Sequence, residues 1–334
     1  MAMKINKQYC IGIDGGGTKT EGIIGDNNGR IVGYVKAETT NIQVKALDDV
    51  KNTLVNMIAT LRIQAKIDLS DINTIYLSLS GAGRETEKAL IKASLAEFEN
   101  DGINIVIEND AMCALASGTY GDSGIVLIAG TGSIAYSYMK ETNELDRVGG
   151  WGYIIGDEGS GYDIGKQALS SIMKGYDGRG PATRLTGAIM KHLNLTHETE
   201  IIPYIYQNTE MRSDIAALSK IVLKVATKGD NVAKSILDNS IKSLIELVHG
   251  AFLYLDKKKY NPPIVLCGGL FSNPMFKEKF ISDLKTKLPN SEIIIPNFPP
   301  VIGAYILSLI ENKQSNMTQT IQQEIKRSWD DLDT

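Results

Sequence analysis

Tyr9-Cys10-Ile11-Gly12-Ile13-Asp14-Gly15-Gly16-Gly17-Thr18-Lys19-Thr20 decides how this chain is read. The apolar run Tyr9–Ile13 has the composition of a buried strand. It ends in three consecutive glycines and a threonine, where a tight turn exposes backbone N–H groups. Such a turn binds anions, and phosphate is the commonest anion to place there. Asp14 beside a polyphosphate would be repulsive without a divalent cation between them, so it points to Mg²⁺, held partly through water. Read alone, the same residues also fit a plain hairpin with Asp14 as a turn former.

The pattern recurs. Ile125-Val126-Leu127-Ile128 runs into Ala129-Gly130-Thr131-Gly132-Ser133, and residues 133–139 alternate like a second strand. Two such turns suggest one nucleotide phosphate tail clamped from two sides. Gly130-x-Gly132-x-x-Ala135 also fits a dinucleotide fingerprint, but that motif must open a helix, and a strand follows here. No Walker A sequence occurs.

Around these turns the chain reads as mixed α/β. Residues 8–13, 19–25 and 30–36 are predicted strands, with Asp26-Asn27-Asn28-Gly29 as a hairpin turn. A helix is predicted over Leu47–Lys66, with Leu47, Val50, Leu54, Met57, Ile58 and Leu61 on one stripe. Strand 75–79, helix 85–98 and strand 103–107 follow. The layout restarts at residues 124–139 and is completed by strand 263–267 and helix 273–287. A duplicated βββαβαβ core explains this economically, with a hinge near residues 118–121 and a helical insertion over 158–256. The predicted domains are 1–118 and 119–312, followed by a polar tail, 313–334, helical over 318–332.

Three further segments carry chemistry. Ile105-Val106-Ile107-Glu108-Asn109-Asp110 ends a strand at an acidic cluster, and Asp110 reads as a helix cap or a positioned catalytic carboxylate. Residues 149–161, beginning Gly149-Gly150-Trp151-Gly152, hold six glycines in thirteen positions, with Asp157 and Glu158 able to accept from hydroxyls. That density points to close approach of a ligand. Ile264-Val265-Leu266-Cys267-Gly268-Gly269 again runs a strand into glycines, a surface on which a purine and ribose can lie.

Composition narrows the classes. The 334 residues are 43% hydrophobic with a formal net charge of -4, which favours two cores and disfavours a general nucleic-acid binder. Lys257-Lys258-Lys259 reads as a solvated helix end. Cys10, Cys113 and Cys267 are scattered and read as small buried hydrophobes of a reducing compartment; His192, His197 and His249 form no ligand spacing. The apolar stretch after Lys4 and Lys7 is too short for a signal peptide, and no run reaches the ~18 residues of a membrane span. The expectation is a cytoplasmic protein with no nucleic-acid or membrane partner.

In this order the segments resemble the actin, sugar kinase and Hsp70 ATPase superfamily. Asp14–Thr20 resembles its first phosphate motif, Gly130–Ser133 its second, and Cys267–Leu270 its adenosine motif. Gly149-Gly150-Trp151-Gly152 with Gly156-Asp157-Glu158-Gly159-Ser160, Thr39-Thr40-Asn41 and Leu77-Ser78-Leu79-Ser80-Gly81 narrow it to the N-acetylglucosamine kinase and BadF-type ATPase branch. The resemblance implies two ribonuclease H-like domains flanking a central cleft, with ATP on one side and an amino sugar on the other. It implies nucleotide contacts at Gly15, Gly16, Gly17, Thr18, Lys19, Gly130, Thr131, Gly132, Gly268 and Gly269, and adenine near Ala226. It implies sugar contacts at Asn41, Asp110, Ser133, Gly149, Gly150 and Asp157, Asp110 as general base, transfer to the sugar 6-hydroxyl, and a homodimer. Two positions depart from the animal amino-sugar kinases: Ile134 replaces an asparagine and Gln43 an aromatic. The rival readings are an activator ATPase that shares an iron–sulfur cluster across a dimer, and a sugar sensor without turnover.

Overall fold

A computed structural model describes residues 8–207, 211–256, 261–312 and 317–332. The lysines Lys4, Lys7 and Lys257–Lys259 lie outside the described residues. In chain order the elements are β1 (Tyr9–Gly15), β2 (Lys19–Asp26), β3 (Ile31–Glu38), α1 (Leu47–Ala65), β4 (Ile72–Leu79), α2 (Glu85–Ser94), α3 (Ala96–Asn100), β5 (Asn104–Glu108) and α4 (Asp110–Thr119). Then come β6 (Gly124–Ala129), β7 (Ser133–Met139), β8 (Glu144–Gly149) and six helices: α5 (Gly161–Tyr176), α6 (Leu185–Leu193), α7 (Ile201–Tyr206), α8 (Met211–Ala217), α9 (Ser219–Ala226) and α10 (Asn231–Asp256). The chain closes with β9 (Ile264–Cys267), α11 (Pro274–Lys287), β10 (Ile293–Ile294), α12 (Pro300–Glu311) and α13 (Gln319–Leu332).

Two five-stranded sheets share one plan, β3-β2-β1-β4-β5 and β10-β9-β6-β7-β8. In each, three antiparallel strands are extended by two parallel ones. The duplicated core read from the sequence is therefore the architecture: two actin-like, ribonuclease H-like sheets. The predicted α1 stripe is real, since Val50, Leu54, Met57, Ile58 and Leu61 are all buried. The predicted helix 85–98 is broken at Leu95 into α2 and α3.

The described chain divides into two compact units. One takes in residues up to Asp122 and again from Pro296 onward; the other is Ser123–Ile295. This corrects the expected second domain of 119–312, because α12 belongs to the first unit. Residues Val301–Leu309 are buried on every side of that helix, so it needs neighbours all round. It finds them in β1 and α4: Gly12 abuts the Ala304–Tyr305 backbone and Gly303 abuts the Cys113 carbonyl, with no space for a Cβ at either glycine. Each fully buried Ile or Leu there contributes about 1.5–3 kcal/mol. Helix α13 also joins this unit, as a cover on β3. The Ile31 N–H donates to Ser328 Oγ at 3.0 Å, and Trp329 meets Tyr34 edge-on at 5.4 Å.

Candidate active site

In the first unit, β1, β4 and β5 run parallel and end together, with Gly15 opposite Leu79 and Ser78 opposite Glu108. Their carboxyl ends therefore gather the first glycine turn, Ser80-Gly81 and Asp110. Ser80 N–H donates to the Gly15 carbonyl at 2.7 Å, and Thr39 Oγ1 donates to the Gly16 carbonyl at 2.8 Å. Gly15 must be glycine, since Thr40 Oγ1 and Leu79 fill the place of a Cβ. Gly17 faces open space, and Gly17, Thr18 and Lys19 are exposed. Lys19 pairs with Glu21 at 2.7 Å.

Asp110 is not the cap of its helix. Asn109 fills that position, its side chain accepting from Ala111 N–H at 2.9 Å. The Asp110 carboxyl is thereby released from the cap role. Burial pushes its pKa up, opposed by backbone N–H groups and the Ser80 hydroxyl. The Asn41 amide reaches Ser80 Oγ at 3.5 Å, so Asn41, Ser80 and Asp110 form one polar chain. Asn41 Oδ1 also accepts from Gln43 N–H at 2.8 Å, while the Gln43 amide turns away to Glu87 at 2.9 Å.

Asp14 lies behind the turn. Burial raises its pKa to about 7, and the Asp110 and Glu21 charges push the same way. The Cys113 thiol opposes this by donating to Asp14 Oδ1 at 3.3 Å. Two carboxylates that repel each other, with no third ligand, suit a cation that keeps most of its shell as water and phosphate. Among the described residues no group of three or more His, Cys, Asp or Glu could hold a metal by itself.

In the second unit, β6 and β9 are parallel neighbours, with Ile128 opposite Cys267. Gly268, at φ +101°, lies against the Ala129 carbonyl, so the Gly130–Gly132 and Gly268-Gly269 turns meet at one edge. Gly130 and Gly269 face open space. Helix α5 starts against the turn, with Gly161 N–H donating to the Gly130 carbonyl at 2.8 Å and Tyr162 N–H to the Thr131 carbonyl at 3.2 Å.

The glycine-rich segment wraps this turn. Gly149 and Gly150 have φ of +72° and +68°, and Leu247 and Ile134 occupy the places of their missing Cβ atoms. Ile134 thus packs on Gly150 where the animal enzymes carry an asparagine. Asp157, 4% exposed, lies against Gly132, whose Cβ would stand 2.9 Å from Asp157 Oδ2. Burial raises the Asp157 pKa, opposed by Arg212 and by the Ser133 backbone N–H. Arg212 Nη2 reaches Asp157 Oδ2 at 3.2 Å.

Two expected residues turn inward. Ser133 is 2% exposed and its hydroxyl donates to the Glu158 carbonyl at 2.7 Å, which secures the loop. Ala226 is 1% exposed within the core of its unit. Arg212 carries no sequence signal of its own. It stands on an unremarkable helix of the insertion, and no motif marks it.

The profile of the BadF/BadG/BcrA/BcrD ATPase family matches residues 11–308. An N-acetyl-D-glucosamine kinase of Dictyostelium discoideum is 32% identical over 92% of this chain and 100% of its own. An N-acetylmuramic acid/N-acetylglucosamine kinase of Clostridium acetobutylicum is 34% identical over 91% of this chain and 99% of its own. Among solved structures, a Chromobacterium violaceum protein with a provisional N-acetylglucosamine kinase name superposes at TM-score 0.69 and 23% identity, covering 91% of this chain and 99% of that one. A ROK family glucokinase of Streptomyces griseus, solved with glucose and AMPPNP, superposes at TM-score 0.52 and 15% identity over 90% of this chain and 99% of its own.

Proposed function

The chain belongs to the BadF/BadG/BcrA/BcrD ATPase family, and from that membership we propose how it works as an ATP-dependent amino-sugar kinase acting on the sugar 6-hydroxyl. The observation that carries the mechanism is the cap at Asn109, which leaves the half-buried Asp110 free of the cap role and linked through Ser80 to Asn41.

Asp110 accepts the proton of the sugar hydroxyl as its oxygen attacks the γ-phosphorus. Asn41 and Asp157 orient the sugar, with Gly149 and Gly150 giving their backbone. The Gly15–Thr18 and Gly130–Gly132 turns hold the phosphates through backbone N–H groups and the Thr18 and Thr131 hydroxyls, and Gly268-Gly269 supports the adenosine. Phosphoryl transfer needs positioning and charge neutralisation more than covalent help, and these turns supply the first. Asp14 would hold Mg²⁺, which supplies further charge neutralisation when bound.

A reducing, cytoplasmic setting and a homodimer complete the reading. Free Cys10, Cys113 and Cys267 support the first, and sedimentation of the purified chain tests the second. Cluster chemistry is disfavoured because Cys10 is fully buried with its thiol pushed up to about 12, and Cys113 is raised well above its usual value. No described helix is long and apolar enough to cross a membrane.

ADP release with glucosamine, N-acetylglucosamine, N-acetylmuramic acid, glucose and mannose tests the function. The amino sugars should exceed glucose and mannose in kcat/KM by at least about tenfold, the worth of one or two well-made hydrogen bonds. Equal turnover on all five, or none, would refute the reading.

A further inference from the structure

One charged side chain at the second turn has no role in the scheme above. Arg212 stands near the start of α8. Its Nη2 lies 3.2 Å from Asp157 Oδ2 and also 3.2 Å from where a Cβ of Gly132 would stand. The guanidinium sits 5.5 Å from the centre of the Tyr153 ring, and Tyr153 meets Tyr162 of α5 edge-on at 5.1 Å. Carboxylate and ring together aim the cation at the turn. Asp157 is buried, whereas the Arg212 side chain is 49% exposed. A guanidinium carries five N–H donors in a flat fork, so one contact to Asp157 leaves others facing outward.

A strut for the Asp157 loop would need no particular neighbour at Gly132. Here the ion pair packs against Gly132, where a Cβ would push on both of its side chains, so the positive charge lies beside the backbone donors that would hold phosphate. Resting on the kinase reading, we propose that Arg212 contacts the terminal phosphoryl group of ATP on the Gly130–Gly132 turn while keeping its hold on Asp157. The phosphoryl group and the sugar-binding carboxylate then share one cation. In the transfer a bond forms from the sugar oxygen to the γ-phosphorus, the bond to the ADP oxygen breaks with its electron pair, and the hydroxyl proton passes to Asp110. Arg212 balances the charge spread over the equatorial oxygens.

The test compares the whole wild-type chain with Arg212→Ala and Arg212→Lys. Steady-state ADP release gives kcat and each KM, with and without added guanidinium chloride at subdenaturing concentration. Calorimetry with ATP and with ADP, in the absence of sugar, gives their affinity ratio. Arg212→Ala should lose about 10³-fold or more in kcat, the lower edge of what transition-state arginines supply. Guanidinium should restore part of that loss, and the preference for ATP over ADP should fall several-fold. Arg212→Lys, which keeps a charge without the fork, should lose about tenfold and carries the test if the alanine variant does not fold. A kcat within threefold of wild type, or a defect confined to the sugar KM with the ATP/ADP ratio unchanged, would overturn the proposal. Wild-type protein that turns over no amino sugar would sink the kinase reading instead, and the ATP/ADP ratio would still judge Arg212.

Discussion

The two glycine turns occupy the same station in sheets of the same strand order, yet their surroundings differ in charge. Gly15–Gly17 is backed by Asp14 and Asp110, two half-buried carboxyls whose proton affinity burial raises; the Asp110 charge raises that of Asp14 further and Lys19 opposes it. Gly130–Gly132 is backed by a single buried carboxylate, Asp157, which Arg212 already neutralises. The difference teaches how one frame can hold two charge balances. Burial raises the proton affinity of the carboxyls behind both turns, and Arg212 opposes that rise at the second. Duplication supplied two equal frames, and the side chains behind each turn set them apart.

The sharpest way to break this comparison is Asp110→Asn. Loss of the base should lower kcat by about 10²–10⁴ with little change in sugar KM, measured by ADP release. A loss confined to KM would assign Asp110 to binding and erase the contrast. Next is the pH dependence written by Asp14. Its pKa is raised from 3.8 to about 7 by burial first. The folded state thus holds a proton that the unfolded state releases near pH 4, and stability falls as pH rises from about 4 to about 7. The shift is worth on the order of 4 kcal/mol. Asp14→Asn removes this dependence. In the absence of nucleotide, its melting temperature relative to wild type should therefore climb between pH 4 and pH 8 and then level off. A constant difference across that range would show that Asp14 titrates normally. The smallest effect is expected at Asp157→Asn, which weakens a charge-assisted contact and should raise sugar KM about tenfold with kcat nearly kept. If kcat falls instead and KM holds, Asp157 serves the transfer through Arg212 rather than sugar binding.

Much of this was legible in the residues. Strand–glycine–strand repeats announced both sheets, because buried strands and turn glycines leave local marks. Asp26-Asn27-Asn28-Gly29 turned where expected, with Gly29 at φ +89°. What escaped was long-range or degenerate. Adjacent Asn109 and Asp110 are both good caps, and only geometry selects Asn109. Helix α12 is apolar all round, so periodicity could not say which sheet it would join; the residues it packs on, Gly12 and Cys113, lie far from it along the chain. Arg212 sits in the insertion, and its meeting with Gly132 is a matter of how helices pack. Ala226 lies in the core of its unit, and no local mark in the sequence singles it out.

The return of α12 to a sheet begun at Tyr9 also governs how the protein is made. A ribosome must complete residues 123–295 before the last helix of the opening unit emerges. Until then one side of β1, with Cys10 and Gly12, waits uncovered, a stretch that chaperones would have to shield during synthesis. Messages truncated before Pro300 should accordingly yield aggregates rather than a smaller working enzyme.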